Sequence, residues 1–224
     1  MNRSVLDFAK KQLRRSEIEG RAVLEVGSRN VNGSLRGFLE GLGPSRYLGV
    51  DIIDGPGVDE ICDIGDVVAR FGESSFDVII STEVIEHVRD WRTAVSNLKR
   101  AVRPQGLLFI TTRSRGFHRH AWPQDWWRYE LQDMETIFQD MTIEALESDP
   151  QLPGVFLKAA KPQSRWPEKD LSSIRLYSMV GHRRVAELSK MDLALDVTAH
   201  KIARFFLPQR LKETIKEHIL REGS

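Results

Sequence analysis

The sequence predicts an α/β fold in which a mostly parallel sheet is covered by helices on both faces. Three observations lead there. Short runs of branched residues, several ending at glycine or aspartate, recur along the first 160 positions. Between them lie segments with an apolar residue at every third or fourth position, the helical period. The two kinds of segment alternate with short turns, which is the pattern of parallel strands joined by helical crossovers.

The elements follow in order. Val5, Leu6, Ala9, Leu13 and Ile18 predict a leading amphipathic helix over 4–18. Residues 22–26 read as a buried strand stopped by Gly27, and 34–42 as a helix stopped by Gly43-Pro44. Strands are expected at 47–50 and 58–62, ending at Asp51 and Asp63, and FDVIIS at 76–81 is the clearest strand of the chain. Trp91, Ala94, Val95, Leu98, Ala101 and Val102 form a helical stripe with Asp90 as its N-cap and Pro104 as its stop. A fifth strand is expected at 107–111.

About 18 residues after Thr112 show no apolar period and are dense in aromatics, histidine and arginine. A loop of that length inside a domain is usually functional. A helix is expected over 130–140, then strands at 141–147 and 154–160. Their short connection predicts an antiparallel pair that closes a seven-stranded sheet. Pro162 and Pro167 mark a boundary, so 1–162 is expected to be the main domain and 163–224 a helical extension, interrupted at Gly181 and Pro208.

Composition narrows the class. The 224 residues, 41% hydrophobic and 29% charged, can bury a full core. Lys and Arg (33) balance Asp and Glu (32), so no global field attracts a polyanion and nucleic acid is not the expected partner. Cys62 is the only cysteine, which excludes an intrachain disulfide and a multi-thiolate metal site. The chain shows neither a signal-peptide run nor about 18 consecutive apolar residues, and a cytoplasmic location without a membrane span is expected.

Ligands of parallel α/β sheets bind at the carboxyl ends of the strands. VLEVGSRNVNG (23–33) is a strand, a glycine turn and a helix, but Gly27 to Gly33 is not the glycine pattern that sets a helix against a pyrophosphate. A dinucleotide, and with it a nicotinamide oxidoreductase, is therefore disfavoured. Asp51 lies where an acid can accept from both ribose hydroxyls, and its alternative is a cap or turn. Asp63 can accept from an adenine amine or cap the short helix after it. Glu25 suits a ligand carrying an ammonium and a sulfonium, or forms a salt bridge at the sheet edge.

These segments are similar to class I S-adenosylmethionine (SAM)-dependent methyltransferases, especially the type 11 group. VLEVGSRNVNG resembles the first motif, LGVDI the second strand and CDIGD the third. FDVIISTEVIEHVRD and LKRAVRPQGLLFIT resemble the fourth strand, the next helix and the fifth strand, so the likeness spans about residues 20–160. Two positions depart from it: Arg29-Asn30 replace the second glycine of the first motif, and Gln105 stands where a second glycine is common. The resemblance implies a Rossmann-like sheet with the last strand antiparallel and SAM as cofactor, released as S-adenosylhomocysteine (SAH). It implies Gly27 and Ser28 at the cofactor's amino acid portion and Asp51 at the ribose, with Gly33 and Ile52 also among the cofactor-binding residues. Asp63 and Ile64 are implied at the adenine, with Ser81 and Thr82 near the methionine part.

Methyl transfer from a sulfonium is an in-line displacement that calls for orientation, a dry pocket and, for a hydroxyl acceptor, a base. His87, His118 and His120 are the candidate bases, although His87 can equally be a packing residue under the next loop. His118 and His120 have the spacing of a metal-ligand pair, but no second ligand cluster lies close by in sequence and no metal is expected. Trp122, Asp125, Trp126, Arg128 and Tyr129 offer aromatic faces and polar groups for a sugar or aromatic ring, or else anchor the loop to the sheet. The loop resembles that of type 11 enzymes from sugar-modifying and natural-product pathways, which implies a hydroxyl on a glycan or small metabolite as acceptor.

Other readings are a methyltransferase of protein or nucleic acid and a non-catalytic SAM-binding module. The first is disfavoured by neutral charge and by the absence of the Asn/Asp-Pro-Pro-aromatic motif. In the C-terminal extension Ile202, Phe205, Phe206, Leu211, Ile215 and Ile219 form an apolar stripe. It is expected to pack on the domain's own surface, with a homodimer seam, a lid or a basic membrane-surface helix as alternatives.

Overall fold

Alternation of side chains about the strands builds the core. The computed structural model describes residues 2–164 and 166–206. Strands β1 (Ala22–Val26), β2 (Arg46–Asp51), β3 (Glu60–Ile61), β4 (Phe76–Thr82), β5 (Val102–Arg113), β7 (Thr142–Ser148) and β8 (Gly154–Ala160) form one sheet in the order β3-β2-β1-β4-β5-β8-β7. The pairs from β3 to β5 are parallel, and β8 runs antiparallel between β5 and β7, as the short connection predicts. A two-residue strand, β6 (Trp127–Arg128), pairs with β9 (Leu176–Ser178), which pairs with β10 (Arg184–Val185) in a small separate sheet.

Helices α1 (Arg3–Gln12), α2 (Arg15–Ile18) and α3 (Arg36–Glu40) lie toward one face, where Val23, Val78, Ile80 and Phe109 are buried with Val5, Phe8, Ile18 and Leu39. Helices α4 (Val67–Phe71), α5 (Trp91–Ala101) and α6 (Leu131–Ile137) lie toward the other, against Leu24, Val26, Ile79 and Leu108. Successive residues thus serve opposite faces, the period of two that a doubly covered strand requires. The predicted stripe of α5 is buried at Trp91, Ala94, Val95, Leu98 and Ala101, with Val95 and Leu98 contributing roughly 1.5–3 kcal/mol each. Asp90 caps it, accepting from Thr93 N at 3.2 Å.

Two segments differ from expectation. The leading helix is broken: Leu13 is extended, and Arg14 N donates to Glu17 Oε2 at 2.9 Å to start α2. Leu13 and Ile18 are five residues apart, a spacing one straight helix cannot keep on one face. Residues 170–189 are turns and short strands, and helix resumes only at α7 (Lys190–Phe206). Arg92 of α5 explains this, since its guanidinium donates to the carbonyls of Leu171, Ile174 and Ala186 at 2.7–2.9 Å, which a continuous helix would use internally. Leu171, Ile174, Leu176 and Val185 accordingly join the core beside α5. Leu211, Ile215 and Ile219 of the expected stripe lie outside the described residues, as do the side chains of Phe205 and Phe206. Among the described residues no helix is long and apolar enough to cross a membrane.

The register positions the site. Val26 pairs with Val50 and Ser81, so Gly27, Asp51 and Thr82 emerge together, one residue beyond a common row.

Candidate functional site

A cavity of about 1290 Å³ opens at these strand ends and continues to the loop after β5. Its near wall includes Glu25, Gly27, Ser28, Gly33, Asp51, Ile52, Asp63, Ile64 and Thr82, and its far wall His87, His118, His120 and Trp126. Most of the sequence-predicted cofactor residues and all three candidate histidines therefore share one space. Ser81 lies behind the wall, fully buried.

Gly27 is needed for two reasons. Its φ is 80°, and a Cβ there would stand 2.1 Å from Val84 Cγ2. The turn is held by the N–H groups of Gly27 and Ser28, which both donate to Val50 O, at 2.8 and 3.0 Å. Gly33, also at positive φ, donates to Asn30 Oδ1 at 2.9 Å. Asp51 accepts from Arg29 N through one oxygen (3.2 Å) and from Ile53 N through the other (3.0 Å). Each oxygen of a carboxylate has a second lone pair, so both can still accept from a ligand. Asp63 accepts from Gly65 N at 2.7 Å, the capping role that sequence allowed, and its exposed side chain also borders the cavity.

Glu25 is 3% exposed and accepts from the Tyr47 hydroxyl at 2.7 Å. Burial pushes its carboxyl up to about 7, against the opposing pull of that hydrogen bond and of Arg36. The folded chain therefore keeps a proton that the unfolded chain loses near its ordinary value of 4.5. Stability must fall as pH rises across that window, by up to about 3 kcal/mol once Glu25 is fully ionised. Glu25→Gln is expected to remove this part of the fall when urea unfolding is compared at pH 5 and pH 8. A pH dependence identical to that of the parent would show that Glu25 is not the group responsible.

At the far end the histidines form a connected chain. His87 Nδ1 lies 2.5 Å from Gln124 O, which only accepts, so Nδ1 carries the proton. His87 Nε2 is 3.1 Å from His120 Nε2, and His120 Nδ1 is 3.1 Å from Asp125 Oδ2. Asp125 is fully buried and held by both terminal nitrogens of Arg128, at 2.5 and 2.8 Å. Burial pushes the Asp125 carboxyl up, but its bonds from Arg128 and His120 outweigh that and hold it well below the usual range. Burial lowers the His87 imidazole below its ordinary value. His118 stacks on Phe117 at 4.8 Å and its own ring stands apart from the pair.

The aromatic loop divides between the two roles that sequence left open. Trp126 lines the cavity. Trp122 stacks on His200 of α7 at 4.0 Å, and Arg119 donates twice to Asp196, which ties α7 to the loop. Tyr129 is fully buried and donates to Ile85 O at 3.2 Å, an anchor to the core. Asp125 and Arg128 are likewise buried supports rather than wall.

Three residues were missed in the sequence. Glu83 (φ 59°) accepts from Thr111 Oγ1 at 3.0 Å and pairs with Arg113 on the cavity wall, and burial together with the neighbouring Glu86 pushes its carboxyl above the usual range. Glu86 is fully buried, with Oε2 accepting from Thr112 Oγ1 at 2.9 Å. The cluster of acids beside His87 in STEVIEHVRD was the available signal.

The profile of a family described as a methyltransferase domain matches residues 1–149. A stretch of 67 residues is 42% identical to the ubiquinone biosynthesis O-methyltransferase of Parvibaculum lavamentivorans, covering 30% of this chain and 26% of that protein. The chain thus matches about a quarter of that relative's length. Among solved structures, an S-adenosylmethionine-dependent methyltransferase from Mesorhizobium loti superposes with a TM-score of 0.53 at 17% identity, over 70% of this chain and 98% of that one. The 1,6-didemethyltoxoflavin-N1-methyltransferase of Burkholderia thailandensis, solved with bound 1,6-didemethyltoxoflavin and S-adenosylhomocysteine, gives 0.58 at 17% identity, over 70% and 78%. At such identities the superpositions speak for the fold alone.

Proposed function

The chain belongs to the methyltransferase-domain family and is a class I SAM-dependent methyltransferase; from that premise we propose that it methylates a hydroxyl of a sugar or small metabolite held between the strand ends and the histidine chain. The observation that carries this reading is the single continuous cavity of about 1290 Å³. It exceeds the roughly 300–1,000 Å³ of an ordinary one-ligand pocket and has room for cofactor and acceptor together. Asp51 and Asp63 stand at one end, and the imidazoles of His87, His118 and His120 at the other.

The near end fits SAM by its own chemistry. Gly27 and Ser28 line the cavity at the end of β1, where the missing Cβ of Gly27 lets the backbone pass close to a ligand. Ile52 is 60% exposed at the rim, an apolar surface that an adenine would cover, opposite the buried Ile64. Asp51 holds the ribose hydroxyls and Glu25 faces the ammonium. When bound, SAM supplies the electrophilic sulfonium methyl group.

At the far end Trp126 and Phe117 shape the acceptor pocket, while α7, tied to the loop through Asp196 and His200, helps to exclude water. The hydroxyl proton passes to one of the group His87, His118 and His120. The O-methyltransferase relative supports oxygen as the methylated atom.

The test is SAH formation from SAM with hydroxylated sugars and phenols and with matched amines. Turnover is expected with hydroxyl acceptors, falling about 10²–10⁴-fold in His87→Ala and His120→Ala. Turnover restricted to amines, or full rates in both variants, would contradict the reading.

A further inference from the structure

Two imidazoles and one carboxylate meet at the acceptor end in an arrangement that the protein's own hydrogen bonds do not complete. Glu86, His87 and His120 each offer a ligand atom, all within 4.8 Å of one another; His87 Nε2 is 3.1 Å from His120 Nε2 and 4.0 Å from Glu86 Oε1. His87 Nδ1 must donate to Gln124 O, and His120 Nδ1 stands against the Asp125 carboxylate, which also takes both Arg128 nitrogens. With both Nδ1 atoms protonated, the neutral rings turn lone pairs at each other across 3.1 Å, which is repulsive unless a positive species lies against both. Glu86 Oε1 is fully buried, has no hydrogen-bond partner and is 4.0 Å from His87 Nε2.

A single proton would satisfy the two rings but leave the Glu86 oxygen unpaired. A divalent ion satisfies all three. Imidazole nitrogens at about 2.0–2.1 Å from one tetrahedral ion stand roughly 3.3 Å apart, close to the distance found here. Glu86, 4.0 Å from His87 Nε2 and within 4.8 Å of the His120 ligand atom, has to close by roughly 1 Å.

We propose that Glu86, His87 and His120 form a binding site for a divalent cation of the zinc type, with a fourth position open to the cavity. Mixed nitrogen and oxygen ligands suit such borderline ions, and three protein ligands with one open position are the pattern of reactive rather than structural sites. The surroundings match as well. Each imidazole is fixed through its far nitrogen, His87 by a carbonyl and His120 by the Asp125–Arg128 pair, the support that metal-binding histidines commonly have. The ligands are 34 residues apart from Glu86 to His120 and His118 is not among them, so the His-x-His spacing pointed to the wrong partner.

The role of the ion rests on the methyl-transfer reading, although its binding does not. An acceptor hydroxyl at the open position is acidified: its O–H bond breaks, the oxygen keeps the electron pair, and the proton passes to His118 or water.

The experiment is titration of chelator-treated full-length protein with Co²⁺ and Zn²⁺. One equivalent of Co²⁺ is expected to give the intense visible bands of a four-coordinate site, and Zn²⁺ to displace it. The bands should disappear in His87→Ala and His120→Ala, weaken in Glu86→Gln with an affinity loss of about 10–100-fold, and persist in His182→Ala, an exposed position outside the cavity. Circular dichroism and SAM titration of each variant separate loss of the site from loss of the fold. Where an alanine variant does not fold, His120→Asn serves in its place. Absence of stoichiometric binding, or binding unchanged in both histidine variants, would overturn the proposal. Full turnover by metal-free protein would overturn the catalytic role while leaving the methyltransferase reading intact.

Discussion

Arg128→Ala is expected to lower the unfolding free energy by about 3–5 kcal/mol and to reduce turnover by at least tenfold in whatever protein remains folded. The guanidinium is fully buried and makes five hydrogen bonds, two to Asp125 and one each to the carbonyls of Phe117, His118 and Trp127. Its removal strands a buried carboxylate and three loop carbonyls, and the penalty comes from those groups rather than from the lost pair itself. Asp125 also receives His120 Nδ1 and His120 N, so the imidazole loses its orientation along with the loop. Arg128→Lys should recover only part of the stability, because one ammonium cannot reproduce a planar fork. Urea unfolding measures the first effect, and kcat at saturating SAM the second. A loss below about 1 kcal/mol would mean that solvent or a neighbour replaces the guanidinium, and that the Asp125 support of His120 is incidental.

The second large effect is expected at the other end of the cavity. Asp51→Ala should weaken SAM about 100-fold, on the order of 3 kcal/mol, because the proposed binding mode gives Asp51 two charge-assisted hydrogen bonds to the ribose, lost together. Part of that loss is indirect, since the same carboxylate holds the Arg29 and Ile53 N–H groups that shape the rim. Asp51→Asn separates the contributions. It keeps one acceptor oxygen, and about a tenfold loss is expected. Equal affinity in the parent and both variants would remove Asp51 from the cofactor site.

The sheet was legible because local signals agreed with one another. The residues of β1 and β8 fall where their branched runs and bounding glycines and prolines put them, and Asp90 caps the stripe of α5 as its position predicts. Residues 170–189 were not legible, since their backbone is directed by Arg92, some 80 residues away in sequence. At the near end of the cavity the strand register made the reading straightforward: Gly27, Asp51 and Thr82 stand at or just past the ends of three neighbouring strands, one residue beyond a common row. The far end was harder. Glu86 and Glu83 occupy a stretch that reads as a solvated acidic turn, and only tertiary packing buries them. Likewise, nothing in FHRHAWPQDWWRYE tells which aromatic faces the cavity. Trp126 lines it, while Trp127 next to it is buried and donates to the carbonyls of Val88 and Arg89.

The most direct test of the account is calorimetric titration of the purified protein with SAM, SAH and NADH. The account predicts saturable binding of SAM and SAH at one site per chain and no binding of NADH, since the Gly27–Gly33 turn offers no helix N-terminus to a pyrophosphate. Binding of NADH with none of SAM or SAH would contradict it and turn the same cavity into a redox site.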